Sequence, residues 1–380
     1  MRVLHINVNY IMSALHQTMI EHMNRLEIES KVFVPTFDKS RTVLECEEYV
    51  TIKECFNKWD RIFYYVKQKK IMDSLLECFD VSEFDCIHAY TLFTDGNVAM
   101  QLSKKYGIPY VVAVRNTDVN DFFKKMIHLR NRGVEILQNA SRIFFLSPKY
   151  RDEVLEKYVP QKNRNEIANK CSIVPNGIDE FWHVEKSEKN TLLKEKEFDK
   201  DKLVNCIYVG GIDRNKNVEL TMKALSLLEN EGWKCRLTCV GKIVDNSIYK
   251  RLCKYRNFVY ISPKSKEKLI DYYREADIFV MQSHTETFGL VYAEAMSQGL
   301  PVIYTKGQGF DGQFEDGEVG YCVDDRDAID ISKKIKIICK DYSRISLRAV
   351  QSVSKFDWEK IVVKYEEIYK QIVNENICLQ

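Results

Sequence analysis

The chain is 380 residues long, which at roughly 150 residues per domain leaves room for two domains, each able to bury its own core. Hydrophobic residues at 45% and charged residues at 29%, with 15 Gly and 7 Pro, exclude a disordered or collagen-like chain. Lys and Arg number 57 against 55 Asp and Glu, a net +2, so no global field draws nucleic acid and any bound anion must be caught by a local site.

In the first half, β-branched and aromatic runs predict strands at Val3–Val8, Lys31–Val34, Asp85–Ala89, Tyr110–Val114, Arg142–Leu146 and Cys171–Val174. Helices are expected at Ser13–Asn24 and Asp95–Tyr106. The turn Pro175-Asn176-Gly177-Ile178-Asp179 then ends one body, and charged residues crowd 185–202 as a linker. Beyond it, strands are expected at Val204–Val209, Arg236–Val240, Val259–Ile261, Ile278–Met281 and Pro301–Tyr304. Helices fall between them at Asn217–Glu229, Lys264–Tyr273 and Gly289–Gln298. From Phe356 to about Val373, Trp358, Ile361, Val362, Tyr365, Ile368 and Tyr369 recur at helical spacing. Strands alternating with helices read as βαβ units, hence two doubly wound parallel sheets of the α/β class.

Twelve cysteines at 46, 55, 78, 86, 171, 206, 235, 239, 253, 322, 339 and 378 include no C-x-x-C pair. They read as small core residues in a reducing compartment. Nothing near Met1 resembles a signal peptide, and the longest apolar runs are far too short to span a bilayer, so a cytoplasmic protein is expected.

In open parallel sheets, ligands bind beyond the carboxyl ends of the strands. After Ile278–Met281 comes Ser283-His284-Thr285-Glu286-Thr287-Phe288-Gly289-Leu290, with Glu294 farther along the helix and Gly299 as its left-handed cap. Backbone N–H groups at that helix start suit a phosphate, and the two carboxylates suit paired hydroxyls of a ribose or hexose. After Ile207-Tyr208-Val209, the loop Gly210-Gly211-Ile212-Asp213-Arg214-Asn215-Lys216 joins two glycines to two cations, a composition able to hold a diphosphate. Together these loops describe a nucleotide-sugar pocket.

The ordered set Pro175–Asp179, Tyr208-Val209-Gly210…Lys216, Glu286-x7-Glu294 with Phe288-Gly289, and Leu300-Pro301-Val302-Ile303 resembles the family-4 glycosyltransferases, from Val3 almost to the last helix. That resemblance implies a GT-B fold: two Rossmann-like domains facing across a cleft, with the C-terminal helix crossing back to the first. The domains would span 1–184 and 203–356, joined by 185–202, with the helix within 357–380. It implies retaining, metal-independent transfer from a nucleotide-diphosphate sugar, UDP in preference to GDP, with no cofactor. Glu286 would hold sugar hydroxyls, the Phe288–Leu290 backbone would meet the sugar and phosphates, and Glu294 would hold the ribose. Lys216 would stabilise the departing diphosphate, Gly210 and Gly211 would shape its loop, and the segment ending at Pro263 would meet the base.

Three departures from the family pattern stand out. Gly211 occupies the place of an arginine that Arg214 would replace. Asn7-Val8-Asn9-Tyr10 replaces a glycine pair, and Arg115-Asn116-Thr117-Asp118 stands where a His-Gly-x-Asp segment is usual. Arg115 and Asp118, with Asn9 and the strand-end His88, form the candidate acceptor side. A guanidinium cannot act as a general base but clamps phosphate or carboxylate, so an anionic acceptor is expected.

His16 and the Glu21-His22 pair lack metalloprotease spacing and read as a partly exposed helix; His284 reads as a loop-orienting residue. The basic and aromatic groups Lys67-Gln68-Lys69-Lys70, Lys104-Lys105 and Phe122-Phe123-Lys124-Lys125 suggest peripheral contact with an inner membrane face. The function expected is transfer of a sugar to a glycan or lipid-linked acceptor in cell-surface polysaccharide synthesis. A nucleotide-sugar epimerase of the same architecture and a non-catalytic two-lobe binding protein are the rivals.

Overall fold

The computed structural model describes residues 1–41, 47–185 and 198–378; most of the expected linker and Cys46 lie outside the described residues. The chain divides into two compact units. The first comprises Met1–Leu146, Tyr150–Gly177 and Trp358–Gln380, the second Ser147–Lys149 and Ile178–Asp357. The passage between them falls at the Pro-Asn-Gly turn, so 178–184, expected within the first domain, lies in the second unit.

The first unit is built on seven parallel strands: β1 (Arg2–Ile6), β2 (Glu29–Thr36), β3 (Val50–Glu54), β4 (Cys86–Ala89), β5 (Tyr110–Val114), β6 (Arg142–Phe145) and β7 (Cys171–Ile173). Their order is β3-β2-β1-β4-β5-β6-β7. In register, Val3 pairs with Ser30 on one side and Cys86 on the other. Because side chains alternate across a strand, Leu4, Ile6, Ile87, Val112 and Phe145 supply one core, and Val3, Val32, Cys86, Val111 and Phe144 supply the other.

The second core is completed by the helix Ala14–Arg25 and by the last helix, Trp358–Ile377, whose Trp358, Ile361, Tyr365 and Tyr369 are buried in it. The last helix thus belongs to the first unit, as expected. Its entry is tight: a Cβ on Gly177 would lie 2.4 Å from the Trp358 indole, so only glycine fits there.

The second unit carries six parallel strands: β8 (Leu203–Val209), β9 (Lys234–Val240), β10 (Phe258–Ile261), β11 (Ile278–Met281), β12 (Val302–Thr305) and β13 (Gly320–Val323), in the order β10-β9-β8-β11-β12-β13. Cys235 and Cys239 are both buried in β9, consistent with core positions. Among the described residues, no disulfide joins the cysteines.

The sequence does not predict β3 and β13. Both are edge strands, and their half-exposed residues break the apolar pattern.

Candidate functional site

In each sheet the strand order reverses once, between β1 and β4 in the first unit and between β8 and β11 in the second. At such a point the loops leaving adjacent strands diverge and open a crevice. Of the candidate donor residues, Gly210, Gly211, Arg214, Lys216, Glu286, Phe288, Gly289 and Leu290 lie in the segments that leave β8 and β11 at this crevice. Asn215, in the loop after β8, donates through Nδ2 to the Thr285 carbonyl at 2.9 Å, while its Oδ1 accepts from the Thr285 N–H at 3.0 Å. Its own carbonyl accepts from the His284 N–H at 2.8 Å. One side chain therefore clamps the two strand-end loops together.

That clamp brings Lys216 to Glu286. Lys216 Nζ lies 2.6 Å from Glu286 Oε2, with both side chains largely covered. The Glu286 N–H donates to Gln308 Oε1 at 2.9 Å, and its carbonyl accepts from Gly309 N–H at 3.0 Å. A Cβ on Gly309 would fall 1.7 Å from the Thr287 carbonyl oxygen, so this approach requires glycine. His284 Nδ1 lies 2.5 Å from Asp325 Oδ2, consistent with a loop-orienting role.

The helix Leu290–Ser297 begins one residue after Gly289, whose φ of 74° is a left-handed conformation natural to glycine. Gly299, at φ 77°, follows its end. The leading amides of a helix have no partner four residues back and carry the positive end of its dipole; here the Tyr292 N–H turns to the Gly289 carbonyl at 3.0 Å. The Phe288 ring is buried and edge-on to Phe356 at 5.4 Å. Glu294 lies within the helix, 3.4 Å from the Tyr273 hydroxyl, and burial raises its carboxyl to about 7.

Arg214 takes a different direction from Lys216. It is exposed and lines a cavity of about 420 Å³ with Asp213, Asn217, Asp245, Arg251 and His284; Lys216 does not line it. Gly210 and Gly211 form the start of the loop, where the Tyr208 hydroxyl donates to the Gly211 carbonyl at 2.7 Å. Pro263 is exposed just beyond β10, at the far edge of the sheet.

In the first unit, the β1/β4 crevice forms a cavity of about 750 Å³. Asn9 and Asp118 line it, with Thr91, Lys67, Lys125 and His128 among the polar groups and Phe56, Phe122 and Met126 among the apolar ones. Asp118 is almost fully buried, and its oxygens accept N–H groups of Leu92, Phe93 and Arg115 at 2.8–3.2 Å. Burial still raises its carboxyl to about 6. It is therefore a brace for the loops after β4 and β5 rather than a free acceptor-binding carboxylate. Arg115 donates through Nε to the Tyr90 carbonyl at 3.3 Å and does not line the cavity.

Two expectations require correction. His88 is completely buried, 4.1 Å from and stacked on Tyr90, with Nδ1 2.5 Å from the Tyr369 hydroxyl. As part of the core beneath the last helix, it cannot reach an acceptor. His16 and His22 are buried as well, not on a partly exposed helix face. Burial pulls His5 and His16 down to about 3 and His88 well below its ordinary value, so all three are neutral at pH 7.

Sequence reasoning also missed several residues. Asn215 and Gln308 are site organisers whose partners lie 70 and 22 positions away. Asp95 is another: it is buried with its carboxyl raised to about 8, and it accepts from the Val8 N–H at the floor of the β1 loop. The Gly307-Gln308-Gly309 turn after β12 was the only available signal for the second of these. Among the described residues, no three His, Cys, Asp or Glu side chains are grouped to hold a metal ion.

The sequence model described as Glycosyltransferase Family 4 matches residues 16–180, and that described as Glycosyl transferases group 1 matches 189–352. A D-inositol 3-phosphate glycosyltransferase of Corynebacterium jeikeium is 24% identical over 315 residues, 76% of this chain and 73% of that protein. Among solved structures, sucrose-phosphate synthase from Thermosynechococcus elongatus superposes with a TM-score of 0.74 at 18% identity, covering 98% of this chain and 99% of that one. The Anabaena protein HepE, solved in complex with UDP-glucose, superposes with a TM-score of 0.65 at 16% identity, covering 98% and 100%.

Proposed function

Because the chain belongs to the family-4 type glycosyltransferases of GT-B fold, we propose that it transfers a sugar, with retention, from UDP-sugar to a glycan or lipid-linked hydroxyl. The observation that carries this reading is the Lys216–Glu286 pair beside the start of the helix Leu290–Ser297. A cation, a carboxylate and a helix N-terminus at one strand-end crevice match the three parts of the donor: diphosphate, sugar hydroxyls and phosphate oxygens. That HepE was solved with UDP-glucose favours UDP over GDP.

In this reading the donor replaces the internal ion pair. Glu286 turns to the sugar hydroxyls, Lys216 to the leaving diphosphate, and Glu294 to the ribose. As the glycosidic C–O bond breaks, negative charge grows on the β-phosphate, where Lys216 and the helix dipole stabilise it most. The acceptor hydroxyl attacks from the same face and passes its proton to the departing phosphate oxygen, so no carboxylate nucleophile, metal or cofactor is needed. The acceptor occupies the 750 Å³ cavity of the first unit, whose Lys67 and Lys125 suit an anionic one. On this reading the protein works in surface-polysaccharide synthesis on the cytoplasmic side.

The test is incubation with a panel of nucleotide sugars, with and without acceptors, measuring released nucleotide and the anomeric configuration of the product. Acceptor-dependent UDP release with retained configuration supports the reading. Turnover without acceptor would instead favour an epimerase, and binding without turnover a ligand-binding protein.

A further inference from the structure

Apart from Val363 and Ile377 on the last helix, the large apolar side chains that the described residues of the first unit expose lie around one cavity. Within the turn and helix start 59–66, Trp59 is 75% exposed, Ile62 70%, Phe63 63% and Tyr65 63%, with Val66 also open. Met12 and Ile127 are exposed too. These positions adjoin the acceptor cavity. Met12 and Ile62 line it directly, as do Met126 and His128 on either side of Ile127.

Residues scattered singly over a surface would need no explanation, but five in eight positions around a cavity do. The local charge supplies the second observation. Segment 57–70 holds five basic residues and one acidic one, in a chain whose net charge is only +2. Lys58 and Lys69 are exposed there, and Lys124 and Lys125 are exposed on the cavity's other side. Lys69 and Lys125 have carboxylate neighbours on their own helical turns at 3.5 and 2.5 Å, exposed pairs worth little in water. Aromatic rings interleaved with lysines fit the interface of an anionic bilayer, where rings sit at headgroup level and cations meet phosphates. Among the described residues, no helix is long and apolar enough to cross a membrane.

We infer that the surface formed by Trp59, Ile62, Phe63, Tyr65 and Val66, flanked by Lys58 and Lys124, docks this protein on an anionic lipid bilayer at the mouth of its acceptor cavity. The inference rests on the glycosyltransferase reading only in taking that cavity as the acceptor site. Docked in this way, the cavity receives an amphiphilic acceptor directly from the bilayer, with apolar chain against Phe56, Phe122 and Met126 and headgroup near Lys67 and Lys125. The apolar cluster was not among the basic groups visible in sequence. Of those groups, Lys104 is engaged with Glu135 at 2.7 Å and Phe123 is buried.

The test is flotation of the full chain with vesicles of phosphatidylcholine alone or mixed with phosphatidylglycerol, at low and high salt. Binding is expected only to the anionic vesicles, weakening with salt. Trp59 fluorescence should shift to the blue on binding, and Trp59→Phe should abolish the shift. Trp59→Ser/Phe63→Ser, at exposed positions outside both crevices, should weaken partitioning by at least about tenfold through lost apolar burial. Lys58→Glu/Lys124→Glu should weaken it with a reduced salt dependence. UDP-glucose binding, followed by calorimetry, should be unchanged in all of them.

No binding of the wild type to anionic vesicles at low salt would overturn the inference. So would unchanged binding of the serine variant, or a serine variant that merely converts a dimer to a monomer. If UDP-glucose binds and vesicles do not, the docking surface alone falls; if the wild type binds no nucleotide sugar, the functional reading falls.

Discussion

Lys216 and Glu286, 70 positions apart in sequence, are joined Nζ to Oε2 at 2.6 Å across two strand-end loops. Each neutralises the other. Because a largely covered ion pair leaves a costly lone charge when one member is removed, the pair also fixes the position of both groups.

The first prediction concerns turnover. Lys216→Ala should lower kcat by about 10²–10³, the loss typical of one donor aimed at charge developing in a transition state. Binding of UDP-sugar should weaken much less, and Lys216→Arg should restore part of the rate. Steady-state kinetics with the active donor checks this, and equal losses in kcat and affinity would argue against a role at the leaving group.

Arg214 gives a second prediction. It is exposed in a cavity that Lys216 does not line, and it is the one arginine of the 210–217 loop, which on the proposed reading takes the role of the arginine expected at Gly211. Arg214→Ala should reduce turnover with the same kcat-weighted pattern. Wild-type kinetics in that variant would identify it as an ordinary surface cation.

A third prediction follows from Glu294, whose carboxyl burial raises to about 7. Glu294→Ala should cost about 1–3 kcal/mol of UDP binding by leaving vicinal hydroxyls without an acceptor. Since those hydroxyls need the ionised form, UDP-glucose affinity should rise with pH through about 7, and calorimetry from pH 6 to 8 reads this. The sign for stability is opposite. A carboxyl with a raised folded-state value favours folding below its unfolded value, and that contribution is lost as pH rises through about 7. Glu294→Gln should therefore gain melting temperature relative to wild type on going from pH 5 to 8.

The fourth prediction concerns the buried histidines. Neither ring nitrogen of His16 has a hydrogen-bond partner among the described residues, and its ring packs edge-on to Tyr90 at 5.0 Å. Its folded-state value of about 3 lies below the ordinary 6.5, so the unfolded chain binds the extra proton. Stability is lost as pH falls from 6.5 towards 3. His16→Phe keeps the aromatic contact without this penalty. Its advantage over wild type should grow by about 2 kcal/mol between pH 7.5 and 5, seen as a widening gap in Tm.

Much of this architecture was readable in sequence where residues face core on both sides. Tyr110–Val114 and Asp95–Tyr106 have the bounds their patterns predict, and Ile278–Met281 likewise. The edge strands were not readable, because Val50–Glu54 ends in Lys53 and Glu54 and Gly320–Val323 opens on glycine. For the site, the glycines and charges after β8 and β11 mark the crevice. Its organisation was hidden, because the bonds from Asn215 and Gln308 reach other loops and leave no local pattern. His88 illustrates the same limit from the other side. Its position at a strand end was plain, but its partner Tyr369 lies 281 residues away on a helix that covers that face.

The return of helix Trp358–Ile377 to the first unit also sets an order of events during synthesis. The ribosome releases β1 to β7 early, but the part of their face, with Val3, Val111 and Phe144, that the last helix covers stays open until all of 178–357 has emerged. The second unit, apart from Ser147–Lys149, is continuous in the chain and can complete itself first. A nascent or truncated product ending before Trp358 should therefore pair a finished second unit with an adhesive, half-covered sheet, a natural client for a chaperone.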